Sequence, residues 1–394
     1  MRSFDYIESG KTLLTPHTTS LLAAIHEAKG RQSIQTTIRP DILGTLVAVA
    51  RIQSTDASNR IEGISTSDSR LNDLVSEKVT PRNRNEEEIA GYRDALSVIH
   101  ESHDYIPITP NVILQLHRDL FRHTPLTFAG HFKDSDNVII ERDAHGTSTV
   151  RFAPPSALAT PELIERACSA YTQAIRDGHT DPLLAIAMFI LDFTCIHPFN
   201  DGNGRMSRLL TLLMLCRNGY MVGKYISIEH LIEQSKSTYY EALAASTQGW
   251  DDNANDYAPF TNYLLGIILS ACKEFDERIN LTAGGRAQGA PRVATKGTRI
   301  EALLDRSLVP LSKADILARM PDTSTTTITD CSYNGIFAIN KEFHARTTVT
   351  ATNSGTATIT GRSYLTSGDF HINRPASFAA SNTSATFAAV CSHF

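Results

Sequence analysis

A mainly helical protein carrying one β-hairpin is the fold class this sequence predicts, on three observations. Apolar residues recur at three- and four-residue spacing through most of residues 20–280. Thr109-Pro110 and Asp181-Pro182 each place a capping side chain ahead of a proline at the first helical position. One segment from Gly130 to Pro155, GHFKDSDNVIIERDAHGTSTVRFAPP, instead has β-branched runs on either side of Asp-Ala-His-Gly, which is a hairpin pattern.

Taken in order, the periodic stretches are 41–53, 86–100, 110–121, 161–176, 182–196, 205–217 and 259–279. They give an N-terminal helical region, 1–104, and a helical core, 105–280. Residues 281–298, LTAGGRAQGAPRVATKGT, are Gly/Ala-rich without periodicity and read as a linker. Within 299–330, RIEALLDRS, LSKADILARM and PDTSTTTI resemble the three elements of a helix-turn-helix, so a winged-helix-like module is expected. Beyond Asp330 the chain turns to Ser, Thr and Ala, and acids almost vanish. An atypical wing, a disordered tail and a frame-shifted sequence all fit residues 331–394, where TTVTATNSGTATITG alternates around a turn-like Asn-Ser-Gly.

The 394 residues suit two or three domains. A net charge of −5 argues against a chain devoted mainly to nucleic acid. Six scattered cysteines with no C-x-x-C pair read as reduced thiols. The N-terminus lacks a basic region followed by an apolar core, so no secretory signal is expected. The most apolar window, Leu183 to Ile196, is short for a bilayer span and holds Asp192, so a buried core helix is expected and no membrane partner. These features together predict a cytoplasmic address.

The stretch CIHPFNDGNGRMSRLL, Cys195 to Leu210, lies between two apolar segments. Gly202 and Gly204 permit backbone angles that turn successive N–H groups toward one point, an anion nest. Met206, Leu209, Leu210, Leu212 and Leu213 place a helix start here, which adds unpaired N–H donors and a positive dipole end. Arg205 and Arg208 are three apart and project from similar faces. The whole describes a polyphosphate cradle, with Asp201 at its mouth as a magnesium ligand. His197 suits a general base acting on a hydroxyl. A plain turn with solvated arginines is the competing reading.

HPFNDGNGRMSR, His197 to Arg208, resembles the Fic signature H-P-F-x-[D/E]-G-N-G-R-x-x-R at every fixed position. GHFKDSDNVII and RFAPP resemble the β-hairpin flap and following Pro-Pro of Fic domains, so that the resemblance covers roughly 105–280. Lys133 departs from the arginine common in that family. The resemblance implies a Fic-type helical bundle and protein AMPylation: AMP passes from ATP to a Ser, Thr or Tyr hydroxyl and pyrophosphate leaves. It implies His197 as base, Asp201 on Mg²⁺, Gly202, Asn203 and Gly204 on the α- and β-phosphates, and Arg205 and Arg208 on the distal phosphates. The flap, roughly 136–152 with Asn137, Val138 and Ile139, would hold the target segment by strand addition. Relatives with altered signatures transfer phosphate or phosphocholine, and the intact Gly-Asn-Gly-Arg here favours AMP.

Upstream, SNRIEGI, Ser58 to Ile64, fits the [S/T]-x-x-x-E-[G/N] of Fic proteins with an N-terminal inhibitory helix. That resemblance implies an inhibitory motif at 58–63, Ser58, Glu62 and Gly63, with Glu62 pairing to Arg208 and misaligning ATP. Removal of AMP from a modified protein, alone or alongside transfer, is a second enzymatic reading. A DNA-binding regulator with a nucleotide-sensing Fic domain is a third. Arg299, Arg306, Lys313 and Arg319 are basic, yet Thr323 to Thr327 offers no phosphate-binding cation, which favours a docking or homodimer element at 299–330 over DNA contact. His117, His123 and His131 show no metal-ligand spacing and read as structural.

Overall fold

A computed structural model describes residues 2–38, 40–142 and 148–283, together with four short strand segments between 337 and 360. Met1–Asp276 forms one compact unit and Glu277–Phe394 a second. In chain order the helices begin with α1 (Tyr6–Thr12), α2 (Pro16–Ile38), α3 (Pro40–Ile61), α4 (Asp68–Val75) and α5 (Arg84–Ser102). A 3₁₀ turn, His103–Tyr105, leads to α6 (Pro110–Leu120). The strands β1 (Ile139–Arg142) and β2 (Ser148–Phe152) follow, then α7 (Thr160–Asp177), α8 (Pro182–Ile196) and α9 (Asn203–Arg217). The chain continues with α10 (Val222–Tyr225), α11 (Ile228–Gln234), α12 (Lys236–Thr247) and α13 (Ala258–Ala283).

Local chemistry accounts for the frame. Thr109 and Asp181 cap α6 and α8, each accepting from a backbone N–H of the first turn, with proline next in line. The hairpin expected between 130 and 155 forms: β1 and β2 pair antiparallel, Ile140 opposite Val150, with a register shift after Ile139. The core sits around α8, where every residue from Leu183 to Ile196 except Thr194 is buried, and α7 and α9 pack against it. α3 lies against α5, α9, α10 and α11, so the N-terminal region shares the core of the signature helices.

Asp192 is the one carboxylate inside α8, and it is fully buried. Burial pushes its pKa up, and the Arg2 guanidinium at 3.0 Å opposes that. Trp250 Nε1 (2.6 Å), Tyr6 OH (2.8 Å) and Tyr257 OH (2.8 Å) complete its partners. The charge that argued against a membrane span therefore anchors the N-terminus and the 250–257 loop to the core. No helix among the described residues is long and apolar enough to cross a membrane.

In the second unit, β3 (Phe337–Ile339) pairs with β4 (Glu342–His344), and β5 (Thr348–Ala351) pairs antiparallel with β6 (Ala357–Thr360). Val349 stands opposite Ile359 across the Asn-Ser-Gly segment. The helix-turn-helix-like module expected at 299–330 lies outside the described residues, as do most of the linker and residues 361–394.

Candidate active site

The site is built where α8 ends and α9 begins. His197 is the C-cap of α8, with φ of 48° and its N–H bonded to Phe193 O at 3.0 Å. A non-glycine residue in the left-handed region is strained and persists only where its surroundings hold it. The turn that follows is held by Asn203, whose side chain accepts from Phe199 N–H (2.9 Å) and donates to Phe199 O (2.8 Å). Asn203 thus closes the loop with its side chain. Gly202 is the N-cap of α9, at φ of 82°, and a Cβ there would come within 2.8 Å of the Phe121 ring. Glycine is required both for the backbone angle and for that close approach. No side chain caps α9, so its first N–H groups stay available to an anion.

The two arginines of the signature diverge. Arg205, 1% exposed, forms an ion pair with Glu88 at 2.7 Å and lies over the Phe121 ring. Its other contacts are Asn59 Oδ1 at 3.5 Å and Asp201 Oδ1 at 3.8 Å. Glu88 on α5 thus holds the Arg205 charge in this structure. Arg208, 3% exposed, instead points to the end of α3. It donates from Nε to Ser58 Oγ (2.8 Å) and from Nη2 to Ser58 O (2.9 Å) and Glu62 Oε1 (2.8 Å).

Glu62 is delivered by a helix stop. Ile64 N–H bonds to Asn59 O and Gly63 N–H to Arg60 O, each at 3.0 Å, with Gly63 at φ of 78°. This is the Schellman pattern, which needs glycine where the chain turns left-handed. Lys236 Nζ donates to Ile61 O at 2.9 Å and fixes the same turn. Burial works to raise the Glu62 pKa, but Arg208, then Arg205 and Lys236, bring it below the usual carboxylate range. The carboxylate stands over the start of α9: a Cβ placed on Gly204 would lie 2.1 Å from Glu62 Oε1.

The His197 pKa falls to about 4, first through burial and then through the Lys133 ammonium, against the opposing effects of Thr194 and Glu62. The imidazole is therefore neutral at pH 7. Asp201 keeps a 45% exposed carboxylate, with Gly202 N–H as its close donor and Arg84 no nearer than 3.5 Å. Such a carboxylate is open to one hard cation. Among the described residues no group of three or more metal-ligating side chains exists, so a cation here would complete its shell with phosphate and water.

Two positioning residues escaped the sequence reading in this role. His117, fully buried, accepts from Gly130 N–H at Nδ1 (2.9 Å), which leaves Nε2 to donate to Asp201 O (3.1 Å). It stacks on Phe199 at 3.7 Å, and its only sequence signal was its place on the apolar face of α6. Tyr92 OH joins the buried Glu229 (3.1 Å), which also accepts from Ser54 (2.7 Å), behind the Ser58 end of α3. Of the hairpin residues, Asn137 donates to Phe199 O at 3.3 Å and is thereby tied to the signature turn. Val138 is 53% exposed and Ile139 half-buried.

Residues 107–215 match the model of the Fic/DOC family. A Fido domain-containing protein of Dictyostelium discoideum is 37% identical over 141 residues, 35% of this chain and 86% of that protein. Proteins named protein adenylyltransferase are 26% identical: fic-1 of Caenorhabditis elegans over 189 residues, and Fic of Drosophila melanogaster over 215. The matches take in 46% and 52% of this chain but only 32% and 39% of those relatives, so the chain spans about a third of the length of the curated adenylyltransferases it matches. Among solved structures, a Fic family protein from Desulfovibrio desulfuricans G20 aligns over 80% of this chain and 87% of its own, with TM-score 0.56 and 23% identity. A Fic domain protein from Bacteroides thetaiotaomicron aligns over 68% of this chain and its whole length, with TM-score 0.55 and 23% identity. The fold is shared with these structures, the signature turn with the family model, and most of the Dictyostelium protein with this sequence: the chain belongs to the Fic/DOC family.

Proposed function

We propose that this chain is an autoinhibited protein adenylyltransferase, which moves AMP from ATP to a Ser, Thr or Tyr hydroxyl of a target protein and releases pyrophosphate. The observation that carries the reading is the Glu62–Arg208 ion pair at 2.8 Å, standing over the uncapped start of α9 beside His197. An anion-binding helix end with its arginine occupied by an internal carboxylate is a phosphate site held off by the chain itself. The adenylyltransferase names of the relatives support the choice of AMP as the group transferred.

In this mechanism the first N–H groups of α9 receive the α- and β-phosphates. Arg208, once free of Glu62, takes the γ-phosphate. Asp201 would hold Mg²⁺, which would supply charge neutralisation at the phosphates. The neutral His197 accepts the hydroxyl proton of the target residue. The hydroxyl oxygen forms a bond to the α-phosphorus as the bond from that phosphorus to the β-bridging oxygen breaks, and pyrophosphate leaves. Phosphoryl chemistry of this kind depends on alignment and charge more than on covalent help. While Glu62 keeps Arg208, the γ-phosphate lacks its anchor and the α-phosphate sits out of line. The hairpin docks the target segment along its strand edge.

The test is mass spectrometry of Glu62→Gly protein incubated with Mg²⁺·ATP, alone and with cell lysate. AMP adducts on Ser, Thr or Tyr are expected. Phosphate adducts, or none on any protein, would overturn the assignment.

A further inference from the structure

Resting on the proposed transfer chemistry, we propose that Lys133 is a positioning residue for His197, coupling the lead-in of the hairpin to the turn that carries the base. Its side chain is buried, 3% exposed. Its backbone N–H donates to Pro198 O at 2.8 Å, and its Nζ donates to Ile196 O at 3.2 Å. The same ammonium holds Asn137 Oδ1 at 3.0 Å, and Asn137 Nδ2 reaches Phe199 O at 3.3 Å. Asn200 closes the set on Asp134 Oδ1 at 3.3 Å. The carbonyls of residues 196, 198 and 199, on both sides of His197, are thus held by one five-residue segment, Lys133 to Asn137, that leads into β1.

Two physical consequences follow. The carbonyl of Ile196 belongs to the last turn of α8, which has no intrahelical partner, and a cation there is favoured by the helix dipole. The strained backbone of His197 is held because the carbonyls around it cannot rotate freely. The second consequence is electrostatic. His197 faces Lys133, which disfavours its charged form, and Glu62 and the Thr194 backbone, which favour it. Lys133 itself faces Asp136, and burial lowers its pKa to about 8. The ammonium therefore works with burial to keep His197 able to accept a proton. A target strand that moves the hairpin would be felt at His197 through the same bonds.

The test compares Lys133→Met, Lys133→Gln and Lys133→Arg in the Glu62→Gly background, with urea midpoints to check folding. Self-labelling kinetics give kcat and the KM for ATP, and imidazole NMR gives the titration midpoint of His197, assigned with His197→Ala. Loss of the ammonium is expected to raise that midpoint by about one pH unit. It is also expected to lower kcat by about 10²-fold with the KM for ATP within about twofold, because alignment is lost and ATP binding is not. Arg is expected to restore most of both. If Met does not fold, Gln keeps a donor without the charge and still moves the midpoint. An unmoved midpoint in a folded variant, or Arg no better than Met, would overturn the inference. If even Glu62→Gly transfers nothing, the proposed function fails, while the NMR titration still decides the role of Lys133.

Discussion

Replacing Glu62 by glycine is the perturbation with the largest expected effect. The carboxylate lies 2.8 Å from Arg208 Nη2 and 2.1 Å from a Cβ built on Gly204, and on the proposed mechanism it competes with the γ-phosphate for Arg208. Two like charges 4 Å apart repel by about 4 kcal/mol at an effective dielectric of 20. The Glu62 side chain is 32% exposed, and solvent screening reduces the repulsion to roughly 1–3 kcal/mol, about 5- to 150-fold. Correct alignment of the α-phosphate adds to this, since a misplacement of about 1 Å can cost 10²-fold. We expect kcat/KM to rise by about 10²-fold. The same substitution leaves the buried Arg208 without a carboxylate, with Ser58 and Tyr239 as remaining partners, which costs roughly 1–2 kcal/mol of stability once the exposure of Glu62 is discounted. Bound ATP returns that energy. The assay is thermal melting with and without Mg²⁺·ATP beside the transfer rate. Glu62→Gly is expected to melt lower than wild type without ligand and to gain more on adding ATP. Equal ATP-induced shifts and equal rates in the two proteins would mean that Glu62 does not restrain Arg208 from ATP.

The signature arginines should separate in the Glu62→Gly background. Arg208→Ala is expected to lower ATP affinity about tenfold or more with the fold retained, since charge-assisted hydrogen bonds contribute about 1.5–3 kcal/mol; calorimetry reads this. Arg205→Ala leaves Glu88 with Arg84, 2.7 Å away, as its remaining cation and is expected to destabilise by about 1–3 kcal/mol in urea melts, while Asp192→Ala, which removes the carboxylate paired with buried Arg2, costs about 3–5 kcal/mol. The pH profile of kcat/KM in Glu62→Gly should hold level from about 5 upward, because His197 loses its base form only as pH falls through about 4. It should decline as pH rises through about 8, where Lys133 loses its charge. Stability has its own dependence: His100 and His117 are held neutral by burial, at about 3 and about 4 against 6.5 unfolded. The unfolded chain then binds more protons, so stability is full above pH 6.5 and falls toward pH 4 by about 1.4 kcal/mol per pH unit per histidine. Urea midpoints against pH check this, and His100→Phe should flatten the slope.

Much of the site was legible because its parts are contiguous. Turn glycines, a helix start and an apolar run are local signals, and they place residues 197–208 without any tertiary knowledge. The Ser58–Glu62–Gly63 segment was legible only beside a family pattern, since a helix end with an acid before a glycine is common. What local signals could not give was the direction of long side chains. Arg205 and Arg208 share a spacing that predicts a shared face, but Glu88 on α5 and Ser58 on α3 pull them apart. Nor could spacing show that Asn203 and Asn137 hold backbone carbonyls. His117 meets the site only because α6 crosses the signature turn, a long-range contact with no local trace.

The most direct measurement is transfer from α-labelled and, separately, γ-labelled ATP with Mg²⁺, using wild type, Glu62→Gly and His197→Ala/Glu62→Gly. Protein-bound label is expected from the α position only, weak in wild type, strong in Glu62→Gly and absent when His197 is also removed. Label retained from the γ position, or α-label that persists without His197, would contradict the proposed transfer mechanism.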